Sequence, residues 1–341
     1  LLTLAVTMLL FGFVMVASAS LPTAEKLTGN PFHFALRHTV YVVAGLITLL
    51  VTLAVPMQTW QQHSGKLLLV GLALLVLVLV AGHSVNGAQR WIKIGPITIQ
   101  VAELAKLFFY IYMASYLGRR EDEIREALKG FIKPLALLFI AAVLLLMQPD
   151  FGTVAVMSAT TIAMLFLAGA KLWQFFGVFI TFMLALILLI IVEPYRMQRM
   201  LTFLEPEKDP FGAGYQLMQS LIAFGQGQFS GLGLGNSIQK LQYLPEAHTD
   251  FIMSVVAEEL GFIGVVAVIS LVLMLVSRAL VIGRRCLAIE QRYGGYLAYG
   301  IGVWFSLQAF VNIGVASGAL PTKGLTLPLI SYGGTSLVVS A

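Results

Sequence analysis

The chain has 341 residues, 59% of them hydrophobic and 11% charged, with a formal net charge of +5 and a mean hydropathy of +0.90. Soluble domains carry about 25% charged and about 45–50% apolar residues, so this composition excludes a soluble globular protein, a disordered chain and a nucleic-acid-binding module. The single Cys286 excludes a disulfide framework and a cysteine metal cluster, which leaves an all-α integral membrane protein.

In chain order, apolar stretches fall at roughly 1–20, 38–56, 66–82, 100–117, 133–147, 153–169, 172–192, 250–277, 295–316 and 326–341. They predict about ten transmembrane helices in one polytopic domain, 1–341, with a long loop, 193–249, between the seventh and eighth. The first run contains Ala17-Ser18-Ala19, a pattern seen at signal-peptidase sites. No basic stretch precedes it, so a true first helix is expected, with its tail lying beyond the residues present. The last run is still apolar at Ala341, and further residues are expected there too. The fifth span, Lys133–Met147, is short, about 22 Å at 1.5 Å per residue, with Pro134 in the first turn, where a helix tolerates it. Such a span is expected to be shielded by neighbours or to end in a water-filled cavity.

Basic residues set the orientation. With the N-terminus inside, the short inner loops hold Lys66, Arg119, Arg120, Arg125, Lys129, Lys133, Lys171, Arg278, Arg284, Arg285 and Arg292. The much longer outer loops hold Lys26, Arg37, Arg90, Lys93, Arg196, Arg199, Lys208, Lys240 and Lys323. Loop 193–249 is therefore expected outside. It carries the turn-rich Pro206–Pro210, a short amphipathic helix around Gln216–Phe224 and a glycine tract, Gly225–Gly235. The tract follows no predicted strand, so it is not a dinucleotide fingerprint, and a flexible or tightly turning loop accounts for its glycines. His33, His38, His63, His83 and His248 have no metal-ligand spacing, so no zinc site is predicted.

Charges inside spans are costly and mark candidate sites. Glu103 and Lys106 lie three residues apart on one helix face, as an ion pair turned into the bundle that could also line a cavity for an ionic substrate. Asp150 is placed to cap the sixth helix and could shape a site beside it. Asp250 stands where the long loop meets the eighth span, with Glu246 and His248 nearby. It reads equally as an N-cap and as a proton acceptor whose pKa partial burial raises. Glu258 and Glu259 follow about 12–14 Å further along, as buried carboxylates whose partners the sequence does not assign. The outer cations Arg90, Lys93, Arg196, Arg199 and Lys323 suit headgroups individually and, together with Asp250, a polyanionic substrate.

Four segments, in order, resemble one family. They are Asn86-Gly-Ala-Gln-Arg90-Trp91 with Glu103-Leu-Ala-Lys106; Gln148-Pro-Asp150-Phe-Gly-Thr153; Leu244-Pro-Glu-Ala-His-Thr-Asp250-Phe; and Leu320-Pro-Thr-Lys323-Gly-Leu-Thr-Leu-Pro-Leu-Ile-Ser331-Tyr-Gly-Gly334-Thr-Ser336. The family is SEDS (shape, elongation, division and sporulation). Pro-Thr-Lys-Gly-Leu and Glu-Ala-His-Thr-Asp lean towards its division branch rather than its elongation branch.

The resemblance implies an inner-membrane peptidoglycan glycosyltransferase at the division septum, polymerising lipid II, a disaccharide-pentapeptide on undecaprenyl diphosphate. It implies Asp250 as the catalytic aspartate, and Arg90, Glu103, Lys106 and Asp150 as cavity residues. Lys93, Arg196, Arg199, His248, Lys323 and Ser331 are further candidate substrate contacts. The implied partners are a class B penicillin-binding transpeptidase of the FtsI type and the FtsQ–FtsL–FtsB assembly. A divalent cation, Mg2+ or Mn2+, is expected with the diphosphate, and no organic cofactor. A lipid II flippase and a non-catalytic scaffold are the alternatives.

Overall fold

The computed structural model describes residues 1–341 except 86, 87, 96, 127, 210, 211, 213 and 323. Its helices are α1 (Leu2–Thr28), α2 (His33–Ala54), α3 (Met57–Ala81), α4 (Val101–Arg119), α5 (Glu121–Glu126), α6 (Leu128–Leu146) and α7 (Phe151–Leu167). They continue as α8 (Leu172–Val192), α9 (Pro194–Leu204), α10 (Tyr215–Gly227), α11 (Ile252–Ala288), α12 (Arg292–Ala316) and α13 (Gly334–Ser340). Among the described residues, six helices are long and apolar enough to cross a membrane: α1, α2, α3, α8, α11 and α12. Gly130–Leu146 and Phe151–Leu167 are shorter apolar helices. The expected final span is corrected: residues 326–333, which include Pro328 and Gly333, are not helical, and only α13 forms.

The fifth span also differs from expectation. α6 begins at Leu128, so Pro134 lies inside the helix rather than in its first turn. A proline removes the amide that would bond the carbonyl four residues back, here that of Gly130. The Tyr116 hydroxyl of α4 donates to that carbonyl at 2.9 Å, so the lost helical bond is replaced from the neighbouring helix.

The segment between α3 and α4 forms a small antiparallel sheet, β1 (His83–Val85), β2 (Ala88–Ile94) and β3 (Ile97–Gln100), in the order β1-β2-β3. Trp91 pairs with Gln100, Ile92 with Ile99 and Lys93 with Thr98. Successive strand residues face opposite sides, so Arg90 and Lys93 project from different faces of β2.

The chain divides into two compact units. One comprises Leu1–Ile47, Ile187–Leu275 and Gln308–Ala341; the other comprises Thr48–Leu186 and Val276–Leu307. In the second, α3 lies close on α4 because Gly71 has no side chain; a Cβ there would sit 3.3 Å from the Ala105 Cα. In the first, Gly12 of α1 lets the 329–330 backbone approach, since a Cβ would lie 2.7 Å from the Ile330 Cα.

The glycine tract of the long loop is a built element of the first unit. α11 is broken at Gly261, whose φ of 64° lies in the left-handed region. A continuous helix would join the Phe262 and Ile263 amides to the carbonyls of Glu258 and Glu259. Instead Leu232 N donates to Glu258 O at 2.9 Å and Gly233 N to Glu259 O at 3.0 Å. Phe262 N and Ile263 N donate to Gln228 O and Phe229 O at 3.0 and 3.3 Å. Gly231, with φ 78°, packs against the Glu259 carbonyl where no Cβ fits. Of the two expected forms, flexible or tightly turning, the tract takes the tightly turning one, and it supplies partners for two carbonyls and two amides at the break.

Candidate active site

Asp250 lies in a run of turns just ahead of α11, with Thr249 N and Phe251 N both donating to Glu246 O at 3.1 and 3.2 Å. Its side chain is half-buried and faces Gly324, where a Cβ would lie 2.6 Å from Asp250 Oδ2. The three titratable groups grouped by sequence separate here. Glu246 is exposed and accepts from the Thr249 hydroxyl at 2.7 Å. His248 is buried, its ring 4.9 Å from that of Phe34 and 5.3 Å from that of Tyr332. Burial pushes the His248 pKa below its ordinary value, against the opposing pull of Glu246, so the ring is neutral at pH 7. That leaves Asp250 as the half-buried carboxylate of the three, set against a residue with no side chain.

The C-terminal motif is tied to the backbone around Asp250. Asn312 of α12 donates through Nδ2 to Asp250 O at 2.8 Å and to Leu325 O at 2.6 Å. Gln308, one turn earlier, donates to Thr326 O at 2.9 Å. Tyr332 N donates to His248 O at 3.0 Å. Ser331 is buried and its hydroxyl accepts the Leu327 amide at 2.8 Å, closing a turn of the motif. On α9, Arg196 donates to Leu189 O at 2.8 Å, at the end of α8, and Arg199 to Thr322 O at 3.1 Å. Lys323 lies outside the described residues.

The second unit holds the other candidates. Lys106 Nζ is 3.0 Å from Glu103 Oε1 and 4.5 Å from the Trp304 ring centroid, with both charged side chains almost fully buried. Among the described residues, Glu103 Oε2 has no hydrogen-bond partner. Asp150 caps α7, as its position implied, accepting from Thr153 N at 3.3 Å and from Thr153 Oγ1 at 2.8 Å. Arg90 clamps the turn before that helix, donating to the carbonyls of Gln148 and Pro149 and lying 3.8 Å from Asp150 Oδ1. Lys93 is exposed on the opposite face of the strand.

Two buried carboxylates find partners that sequence left open. Glu259 is 2.6 Å from Lys240 Nζ and accepts from the Ser18 hydroxyl at 2.8 Å, so Ser18 belongs to a buried polar cluster of α1. Glu258 binds the 237–239 turn instead of a cation, accepting from the Ser237 hydroxyl and from Ile238 N at 2.9 Å. Their helical spacing gave no hint of these partners, which come from residues far away in the chain. Among the described residues, no three His, Cys, Asp or Glu side chains converge into a set that could hold a metal ion.

These features define a multi-pass helical membrane protein whose long loop delivers one half-buried carboxylate to a folded C-terminal motif. The sequence profile of the cell cycle protein family FtsW/RodA/SpoVE matches residues 1–341, and the chain belongs to that family. It is 81% identical over 341 residues to the probable peptidoglycan glycosyltransferase FtsW of Idiomarina loihiensis, covering all of this chain and 83% of that protein. The protein of the same name from Escherichia coli O6:H1 is 55% identical over 328 residues, 96% of this chain and 79% of the relative. A solved chain from a peptidoglycan synthase complex, described as coordinating polymerization and crosslinking, superposes with a TM-score of 0.80 at 28% identity, over 99% of this chain and 93% of that one. The rod-shape-determining protein RodA of Thermus thermophilus superposes with a TM-score of 0.72 at 28% identity, over 99% and 91%.

Proposed function

We propose that this protein is a peptidoglycan glycosyltransferase that polymerises lipid II into glycan strands, with Asp250 as the general base. The observation that carries the reading is the half-buried Asp250 carboxylate set against Gly324 of the C-terminal motif. Chain growth deprotonates the sugar 4-hydroxyl of the acceptor, joins that oxygen to the anomeric carbon of the donor and releases a lipid diphosphate. A single positioned carboxylate suffices for the proton and typically contributes about 10²–10⁴-fold. The departing diphosphate is a weak base that needs no proton if cations offset its charge, so a carboxylate pair of the hydrolase kind is not required. Arg196, Arg199 and Lys323 supply positive charge in the same long loop and motif. A divalent cation belongs to this proposal as a companion of the diphosphate, where it would help to offset the charge of the leaving group.

The likeness to a component of a synthase complex supports a crosslinking partner, which we assign as a class B penicillin-binding transpeptidase of the FtsI type. The identity to relatives named FtsW supports action in the inner membrane at the septum, with the FtsQ–FtsL–FtsB assembly.

The test is polymerisation of lipid II by the purified protein in detergent. A flippase or scaffold makes no strands there, because detergent has no two sides to flip between. Asp250→Asn preserves side-chain size and capping ability. The expected result is a folded protein with polymerisation lowered at least ~10²-fold. Activity within a few-fold of wild type would refute the base assignment, and strands made by neither protein would refute the enzymatic reading.

A further inference from the structure

Gln308 and Asn312 lie four residues apart on one face of α12, and both are about 1% exposed. They bond two successive carbonyls of the C-terminal motif, Gln308 that of Thr326 and Asn312 that of Leu325. Asn312 does more, since its amide also donates to the carbonyl of Asp250 at 2.8 Å. Both partners are acceptors, which fixes the amide with its nitrogen towards them. A closed circuit results. It runs from the Asp250 backbone through the Asn312 amide to Leu325, back one residue to Gly324, and across to Asp250 Oδ2. The second observation is Asn312 Oδ1, buried without a partner among the described residues. Buried polar atoms are ordinarily satisfied, so an amide kept at the expense of an orphaned acceptor is kept for its two donors. An apolar side chain of similar size would fill the space without that penalty.

We infer that Asn312 is a positioning residue for glycan polymerisation, fixing the Asp250 carboxylate against Gly324 in its reacting geometry. The inference rests on the reading of Asp250 as general base. Asn312 touches backbone on both sides, so it acts through Asp250 and leaves the substrate to other groups.

The experiment uses the full chain in detergent with lipid II. Asn312→Leu removes both donors at similar volume, and Asn312→Ser, which retains a hydroxyl donor, serves if the leucine variant does not fold. For the folded variant, KM for lipid II is expected to stay within about 3-fold while kcat falls roughly 30–100-fold, the scale of a base misplaced by about 1 Å. The acid limb of the pH–rate profile is expected to shift, because that limb reports the base and its surroundings. In an Asp250→Asn background, single-turnover rates are expected to show no further loss, since the group being positioned is gone. An unshifted acid limb, or a loss that multiplies with that of Asp250→Asn, would overturn the inference and make Asn312 a packing residue. Asp250→Asn measured alone keeps the two readings distinguishable: near-normal activity there removes the base assignment itself, whereas an inactive Asp250→Asn with multiplying losses removes only the role of Asn312.

Discussion

Replacing Gly324 by alanine tests the placement of the carboxylate with a single methyl group. The new Cβ would lie 2.6 Å from Asp250 Oδ2, whereas ordinary contact begins at 3.4 Å. Gly324 has no left-handed φ to protect, and the next atoms of Asp250 are 3.5 Å or more away, so the collision falls on the movable end of one side chain. The carboxylate must therefore retreat by about 0.8 Å, and a misplacement of ~1 Å costs ~10²-fold in rate. Stability should change by less than ~1 kcal/mol, because glycine-to-alanine gains in the unfolded chain are of that size and offset the small clash. The assay pairs lipid II polymerisation with a thermal unfolding scan in the same detergent. The expected outcome is an unfolding midpoint near wild type and a rate lowered about 10–100-fold. A folded Gly324→Ala protein with wild-type polymerisation would show that the position of the carboxylate does not govern the chemistry. Loss of folding would also refute the argument, because the methyl group would then be striking backbone.

Glu103→Ala and Lys106→Ala should each destabilise the protein by about 3–5 kcal/mol, because either leaves a buried charge without its partner. An apolar double replacement should restore folding; restored folding without polymerisation places the pair at the substrate, and restored activity makes it structural. Lys240→Met should cost a similar ~3–5 kcal/mol by isolating Glu259, and adding Glu259→Gln should recover most of it; no recovery would refute the pairing. For orientation, a cysteine placed at the exposed Lys208 should react with an impermeant thiol reagent in intact spheroplasts, and labelling only after lysis would invert the assignment.

Apolar length made most of the helices legible, because a lipid-facing helix announces itself through composition. α8 is apolar apart from Gln174 and Thr181, and its expected bounds, 172–192, match the helix. The β2–β3 hairpin was missed although Ile92, Ile94, Ile97 and Ile99 alternate across Gly95, since hydropathy windows tuned to spans blur a period of two. The final span was overestimated for the opposite reason: Leu325, Leu327, Leu329 and Ile330 are apolar because they are buried in an irregular loop. Asp150 was readable as a cap because capping is local in sequence. Asn312 was not, because its meaning lies in two carbonyls 62 and 13 residues away. Lys240 looked like one more outer-loop base, and only the tertiary fold brings it to Glu259.

The break at Gly261 bears on how the protein is made. An interrupted helix in hydrocarbon would strand polar backbone groups at several kcal/mol each, a state the bilayer does not tolerate. Four such bonds are satisfied here by residues 228–233, which precede α11 in the chain and so emerge from the ribosome first. The partner is therefore already synthesised when the broken helix arrives. The break in α11 is then completed only when that earlier segment folds back onto it, so this helix and the segment preceding it form as one unit.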